Sequence, residues 1–317
     1  MEVDNGRIRG LFFKNAQWRL NRCLAPGLDC TERAIHAHSV QNAHVMGLLA
    51  RNGHVKAIKY AVKKDDSFSV FFKDVGRNQA STFEGFCRQH DTSLFLPIDT
   101  RPLDPKDTEQ LFLFAYRSVA RETHAVMEGA IKMQSAYQDR VSMGLDTGLT
   151  PEPAGMTAVG HIINAHSTWE YKARLDEALL ARKYDELSHD VLMLNQDQPC
   201  LAVSSCFTLE DRPRDDPAVR VEINAFPIRE DQSAAIFSYT RDDTKRARDF
   251  LRPVLEAQGD YQKYLLSKLI LMHCENVVIS PAKYDRWADD KKEAITAFFM
   301  QTLYYNVEVE DQRLFLF

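Results

Sequence analysis

Two cysteines and two histidines fall within eighteen residues, CLAPGLDCTERAIHAHSV, running from Cys23 to Val40, and a second close pair, Cys87 and His90, follows later in the chain. Thiolate and imidazole donors are what a tetrahedral zinc site uses, and a structural site is usually assembled from two sequence-local pairs, each presented by one turn. In LAPGLD, between Cys23 and Cys30, Pro26 and Gly27 permit a tight reversal. Cys87-x-x-His90 has the i, i+3 spacing of neighbours on the first turn of a helix. The six-residue gap of the first pair is longer than the usual two to four. Two other assignments are open to the same residues: free core cysteines beside a surface histidine, or a site completed by His36 or His38 in place of His90.

The distribution of these residues is uneven. Three of the six cysteines and five of the ten histidines lie between positions 23 and 90, where even scatter would put only about three or four of these sixteen residues. Residues 1–100 carry a net charge of +4 and the remainder −9, together the −5 of the whole chain. A basic, Cys/His-rich start on an acidic body suggests a nucleic-acid-facing module attached to a part with another task. Six cysteines in 317 residues do not make a disulfide scaffold, and a reducing compartment would keep them as thiols or metal ligands. The opening MEVDNGRIRG lacks an apolar core of the signal-peptide kind, and the greasiest later stretch, YLLSKLILMHC, is short and interrupted by Lys268. The expectation is a cytoplasmic globular protein with no membrane span.

The elements that must position the donors can be read from periodicity. AIHAHSV reads as a short strand and NAHVMGLLARNG as a helix with a glycine stop. HVKAIKYAV and SFSVFF form a hairpin over the turn KKDD, and STFEGFCRQHDTSLF reads as a helix capped by Ser81 or Thr82 with Glu84 in its first turn. The proline-rich LFLPIDTRPLDP breaks regular structure. Asp104 followed by Pro105 then caps a long helix with Leu111, Phe114, Ala115, Val119, Val126, Met127, Ile131 and Tyr137 on one face, ending near Gly144. After the loop GLDTGLTPEPAG a second long helix carries Trp169, Leu175, Leu179 and Leu187. CLAVSSCFTL, RVEINAFPI and SAAIFSYT, bounded by RPRDDP and REDQ, read as an antiparallel meander, followed by two or three helices and strands at NVVIS and LYYNVEVE. The expected fold is α+β: an N-terminal treble-clef-like zinc module over 1–100, a helical region over 101–198, and an antiparallel sheet with C-terminal helices over 199–317.

A cysteine pair, a strand ending in histidine, and a later helix opening on a second donor pair together resemble the HNH or His-Me finger nucleases. The resemblance covers about seventy residues. It implies Cys23, Cys30, Cys87 and His90 as ligands of a structural Zn2+, His38 as the catalytic histidine, and His36 or Asp91 as a ligand of a catalytic Mg2+ or Mn2+. In that chemistry the cation holds the scissile phosphate, and a neutral histidine takes a proton from the attacking water. His36 and His38, two apart in a strand, project on one face. The chain departs from the family pattern where Ser81 and Thr82 replace an expected asparagine and Asp91 replaces the usual last histidine.

Gln41, Arg51, Lys56 and Lys59 are candidate contacts to a DNA or RNA backbone, against the plainer alternative of a solvated charged face. Cys200, Cys206 and Cys274 sit among apolar residues as buried thiols usually do. No phosphate-binding glycine loop, dinucleotide fingerprint or nucleophile elbow is present, so the sequence offers no support for an ATPase, a dehydrogenase or an α/β-hydrolase. The function expected from the resemblance is a metal-dependent nucleic-acid hydrolase, of a kind that serves bacterial defence or mobile elements. The alternative is a zinc-stabilised, non-catalytic binding or adaptor protein. Either could form a homo-oligomer or bind a protein partner through the acidic C-terminal region.

Overall fold

The computed structural model describes residues 14–27, 29–62, 68–146, 153–209, 218–303 and 307–317. It mixes helices with antiparallel sheet, an α+β fold as expected. The expected turns at KKDD and RPRDDP, and part of the loop GLDTGLTPEPAG, lie outside the described residues. The chain divides into two discontinuous units, 1–37 with 83–91 and 119–182, and 38–82 with 92–118 and 183–317.

β1 (Ile35–His38) pairs with β4 (Thr82–Phe86), both mainly in the first unit, and α1 (Arg88–Thr100) begins immediately after β4 and runs on into the second unit's segment. This corrects the expected helix over STFEGFC. Ser81 takes a positive φ of 55° instead of capping, and the helix starts seven residues later at Arg88. The physical reason is that Thr82, Phe83 and Phe86 are strand formers whose aromatic rings become buried once β4 pairs with β1, which outweighs a local capping signal. Gly85 is fixed by packing: a Cβ there would lie 2.4 Å from the Phe83 ring, and its carbonyl accepts a 2.7 Å bond from the Leu24 N–H. Two long helices complete the unit, the part of α2 (Thr108–Ser142) from residue 119 onward and α3 (Pro153–Leu180). The chain before Cys23 is tied to α2, with the Leu20 N–H donating to Glu128 at 3.0 Å and His124 Nε2 bonded to the Leu20 carbonyl at 2.8 Å. Gly144, φ +71°, follows the end of α2 as the glycine stop predicted.

The second unit is built on a seven-stranded antiparallel sheet. The hairpin β2 (His54–Val62) and β3 (Phe68–Gly76) and the meander β6 (Leu201–Thr208), β7 (Arg220–Arg229) and β8 (Gln232–Thr240) appear as expected, and β5 (Leu187–Asn195) is an added edge strand beside β8. Leu187, expected on the second long helix, opens that strand. The two-residue strand β9 (Val278–Ile279) pairs with both β2 and β6 and so joins hairpin to meander. One face of the sheet packs Val221, Ile223 and Phe237 against Leu251 of α4 (Thr244–Glu256), Leu266 and Ile270 of α5 (Gly259–His273), and Ile295 of α6 (Asp289–Thr302). The opposite face buries polar groups, among which Ser118 of α2 bonds Ser204 at 2.8 Å and donates to Asn224 Oδ1 at 3.1 Å. Asp107, one turn later than expected, caps α2 by accepting from the Gln110 N–H at 3.1 Å, while Asp104 accepts from the Lys106 N–H in the preceding turn. Among the described residues, LYYNVEVE contributes no strand, and no helix is long and apolar enough to cross a membrane.

Candidate metal centre

Cys23, Cys30, Cys87 and His90 converge, with their donor atoms all within 4.8 Å of one another. Each position follows from local structure. The Pro26-Gly27 turn, with Gly27 at φ +89°, returns the chain between Cys23 and Cys30. Cys87 and His90 flank the start of α1 and so project together, Sγ to Nδ1 at 3.3 Å. Cys23 Sγ lies 3.4 Å from His90 Nδ1, and Cys30 Sγ 3.8 Å from Cys87 Sγ. A zinc tetrahedron with bonds of about 2.3 Å to sulfur and 2.0–2.1 Å to nitrogen has edges of about 3.8 Å between sulfurs and about 3.6 Å from sulfur to nitrogen. These three separations match those edges to a few tenths of an ångström and all four donors lie within 4.8 Å, so the cluster can hold a metal ion such as zinc.

The electrostatics ask for a cation. Burial raises the Cys23 thiol to about 11, the cost of forming a thiolate away from water. At Cys87 desolvation also raises the pKa, but hydrogen bonds from the backbone N–H groups of His90 and Gln89 at the start of α1, with help from the neighbouring thiols, bring the net shift down. Three thiolates around a divalent ion leave one negative charge. Lys172, buried and held on Asp176 at 2.7 Å, feels the charge of Cys23.

The histidine strand is arranged differently from the expectation of two similar groups. The His36 side chain is 75% exposed, with Nε2 3.7 Å from a Glu84 carboxylate oxygen. His38 is half-buried. Desolvation lowers its pKa, while a hydrogen bond to the Arg77 carbonyl raises it, Arg117 lowers it and Asp99 raises it, the net shift being down. Its Nε2 is enclosed and has no hydrogen-bond partner. Asp91 is half-buried in the first turn of α1, its N–H on the Cys87 carbonyl at 2.9 Å.

Among the proposed phosphate contacts, Gln41 donates through Nε2 to the Asp99 carbonyl, and Arg51 pairs with Asp285. Lys56 holds Asp74 at 2.8 Å and lies over the Tyr284 ring, and Lys59 is exposed. The sequence reading missed Arg117, which is buried, grips Asp99 and stacks 4.0 Å from the centre of the Phe95 ring. Its only sequence signal is a charge inside an apolar run on α2. It also missed His189 on β5, bonded to Ser238 at 2.8 Å: Leu187, the first residue of that strand, was expected on the second long helix.

No family model, no curated protein and no solved structure matches this chain.

Proposed function

We propose that the chain is a metal-dependent nucleic-acid hydrolase of HNH-like type, in which Cys23, Cys30, Cys87 and His90 hold a structural zinc in a treble-clef-like setting and His38 is the general base. The observation that carries this reading is the state of the His38 ring. Desolvation lowers its pKa, which favours the neutral ring, and its buried Nε2 has no hydrogen-bond partner. A general base must be a neutral ring with a nitrogen not already committed to a hydrogen bond. The order of elements supports it too, since the first cysteine pair precedes β1 and the second donor pair opens α1 directly after β4. A catalytic Mg2+ or Mn2+ would supply Lewis-acid stabilisation of the scissile phosphate. His38 takes the proton from water, and the zinc cluster keeps β1, β4 and α1 in register.

A zinc-stabilised binding or adaptor protein is the second reading. It is favoured by His36, which stands in solvent paired with Glu84 instead of beside a free carboxylate.

The test is a pair of variants assayed on single- and double-stranded DNA and RNA with Mg2+ or Mn2+. His38→Ala should reduce cleavage by roughly 10²–10⁴-fold with zinc content and melting temperature close to wild type. His90→Ala should lose zinc and stability first. Equal unfolding in both variants, or no cleavage by the wild type on any substrate, would leave the adaptor reading standing.

A further inference from the structure

The second unit contains a cleft of about 450 Å³. Its floor is apolar, with Ile98, Phe114 and Phe226, the two rings 5.1 Å apart. Its rim carries His44, Arg101 and Arg229. Two backbone irregularities shape it: the π-helical turn Asn42–Met46, which supplies His44, and a break in the β7–β8 register at Pro227 and Arg229, which turns Arg229 toward the cleft. Features of both kinds concentrate at functional sites. Asp99 connects the cleft to His38. Its neighbours Ile98 and Thr100 line the cleft, its carbonyl accepts from Gln41, and its charge acts on His38.

We infer that this cleft binds a nucleotide, with the base against Phe114 and Phe226 and the phosphate between Arg101 and Arg229. An aromatic floor suits a planar base without selecting a sequence, and a cationic rim suits a phosphate. The volume lies in the range of small-ligand sites. The arginines are accessible: the Arg101 side chain is 48% exposed, with carboxylates of Asp107 and Glu109 at 3.3 and 3.4 Å and its Nε donating to the Pro97 carbonyl at 3.3 Å, and that of Arg229 is 65% exposed, with Asp231 at 3.4 Å and its guanidinium donating to Gln232 Oε1 at 2.9 Å. Exposed ion pairs contribute little to stability, so a phosphate can replace the carboxylates at little cost. The nucleotide is either a residue of a single strand held for hydrolysis, which rests on the reading of His38 as base, or a free mononucleotide.

Equilibrium binding by the full chain, without added Mg2+ or Mn2+, tests this with two probes: the four ribonucleoside 5′-monophosphates and a fluorescent single-stranded 12-mer, DNA or RNA. Arg101→Ala and Arg229→Ala should each weaken binding about tenfold and reduce its salt dependence, as loss of one phosphate contact does. Leu103→Trp, which fills the cleft from a half-buried position, should remove binding without removing charge, and Lys245→Ala on α4 should leave it unchanged. Monophosphates that displace the 12-mer, or a 12-mer that binds alone, assign the cleft to strand residues; monophosphates that bind without competing assign it to a free ligand. No binding of either probe, or wild-type binding by Arg101→Ala, Arg229→Ala and Leu103→Trp, overturns the inference. His38-dependent cleavage persisting in those variants would then show that the hydrolase reading survives the loss of the cleft. Nucleotide binding without any cleavage would show the reverse.

Discussion

Arg117 holds Asp99 with both arms of its guanidinium, at 3.0 and 2.9 Å, from a side chain only 3% exposed. The pair fixes the last turn of α1 against the third turn of α2, and with it the carbonyl that receives Gln41 and the carboxylate whose field reaches His38. Two parallel charge-assisted bonds set orientation as well as energy. Arg117→Ala should therefore cost about 2–3 kcal/mol, less than for a fully buried pair because Asp99 is 34% exposed. Arg117→Lys, which cannot make the fork, should recover only part of the loss. Urea unfolding of the three proteins checks this, and a wild-type midpoint for Arg117→Ala would refute it.

One equivalent of zinc per chain is expected by elemental analysis of protein purified without chelator. Cys87→Ser should lose the metal and at least about 3 kcal/mol of stability, because binding energy at such a site is folding energy. Cys274→Ser, at a buried thiol away from the cluster, should keep its zinc. Metal-free wild-type protein with an unchanged melting curve would remove both the site and the treble-clef reading.

Acid should destabilise the fold through histidines buried in the neutral form. His189 is pushed down by desolvation to about 4, and burial also lowers His38 and His124. The unfolded chain binds protons near the ordinary histidine value of 6.5 while the folded chain does not, so stability is intact above that pH and falls as pH drops toward 4. His189 alone accounts for roughly 3 kcal/mol over that window. His189→Gln should thus cost stability at pH 7.5 yet narrow its deficit against wild type by pH 4.5. Unfolding curves at the two pH values decide it, and a constant deficit would contradict the assignment.

Gly85→Ala should destabilise the first unit by about 1–3 kcal/mol, the usual cost of overpacking, because the new Cβ meets the Phe83 ring. Adding Phe83→Leu should recover part of that loss if the clash is the cause. Additive effects of the two substitutions, measured by thermal unfolding, would place the cost in the backbone instead.

The four metal donors were legible in the sequence because each pair is local: a Pro-Gly turn and one helical turn bring the members together whatever the rest of the chain does. The meander and α2 were legible for a similar reason, since period-two and period-3.6 patterns are written into short windows. Tertiary structure decided what pairing across the chain controls. Thr82–Phe86 became a strand because β1 offered it hydrogen-bond partners and a place to bury Phe83 and Phe86, although its local residues read as a helix start. Val278–Ile279, two residues long, joins the hairpin at His54–Gly76 to the meander more than a hundred residues further on, through backbone groups that carry no residue-type signal. The different environments of His36 and His38 arise in the same way. Strand periodicity puts both on one face, but contacts remote in sequence set them apart: Glu84 lies beside the exposed first ring, while Arg77, Asp99 and Arg117 act on the half-buried second.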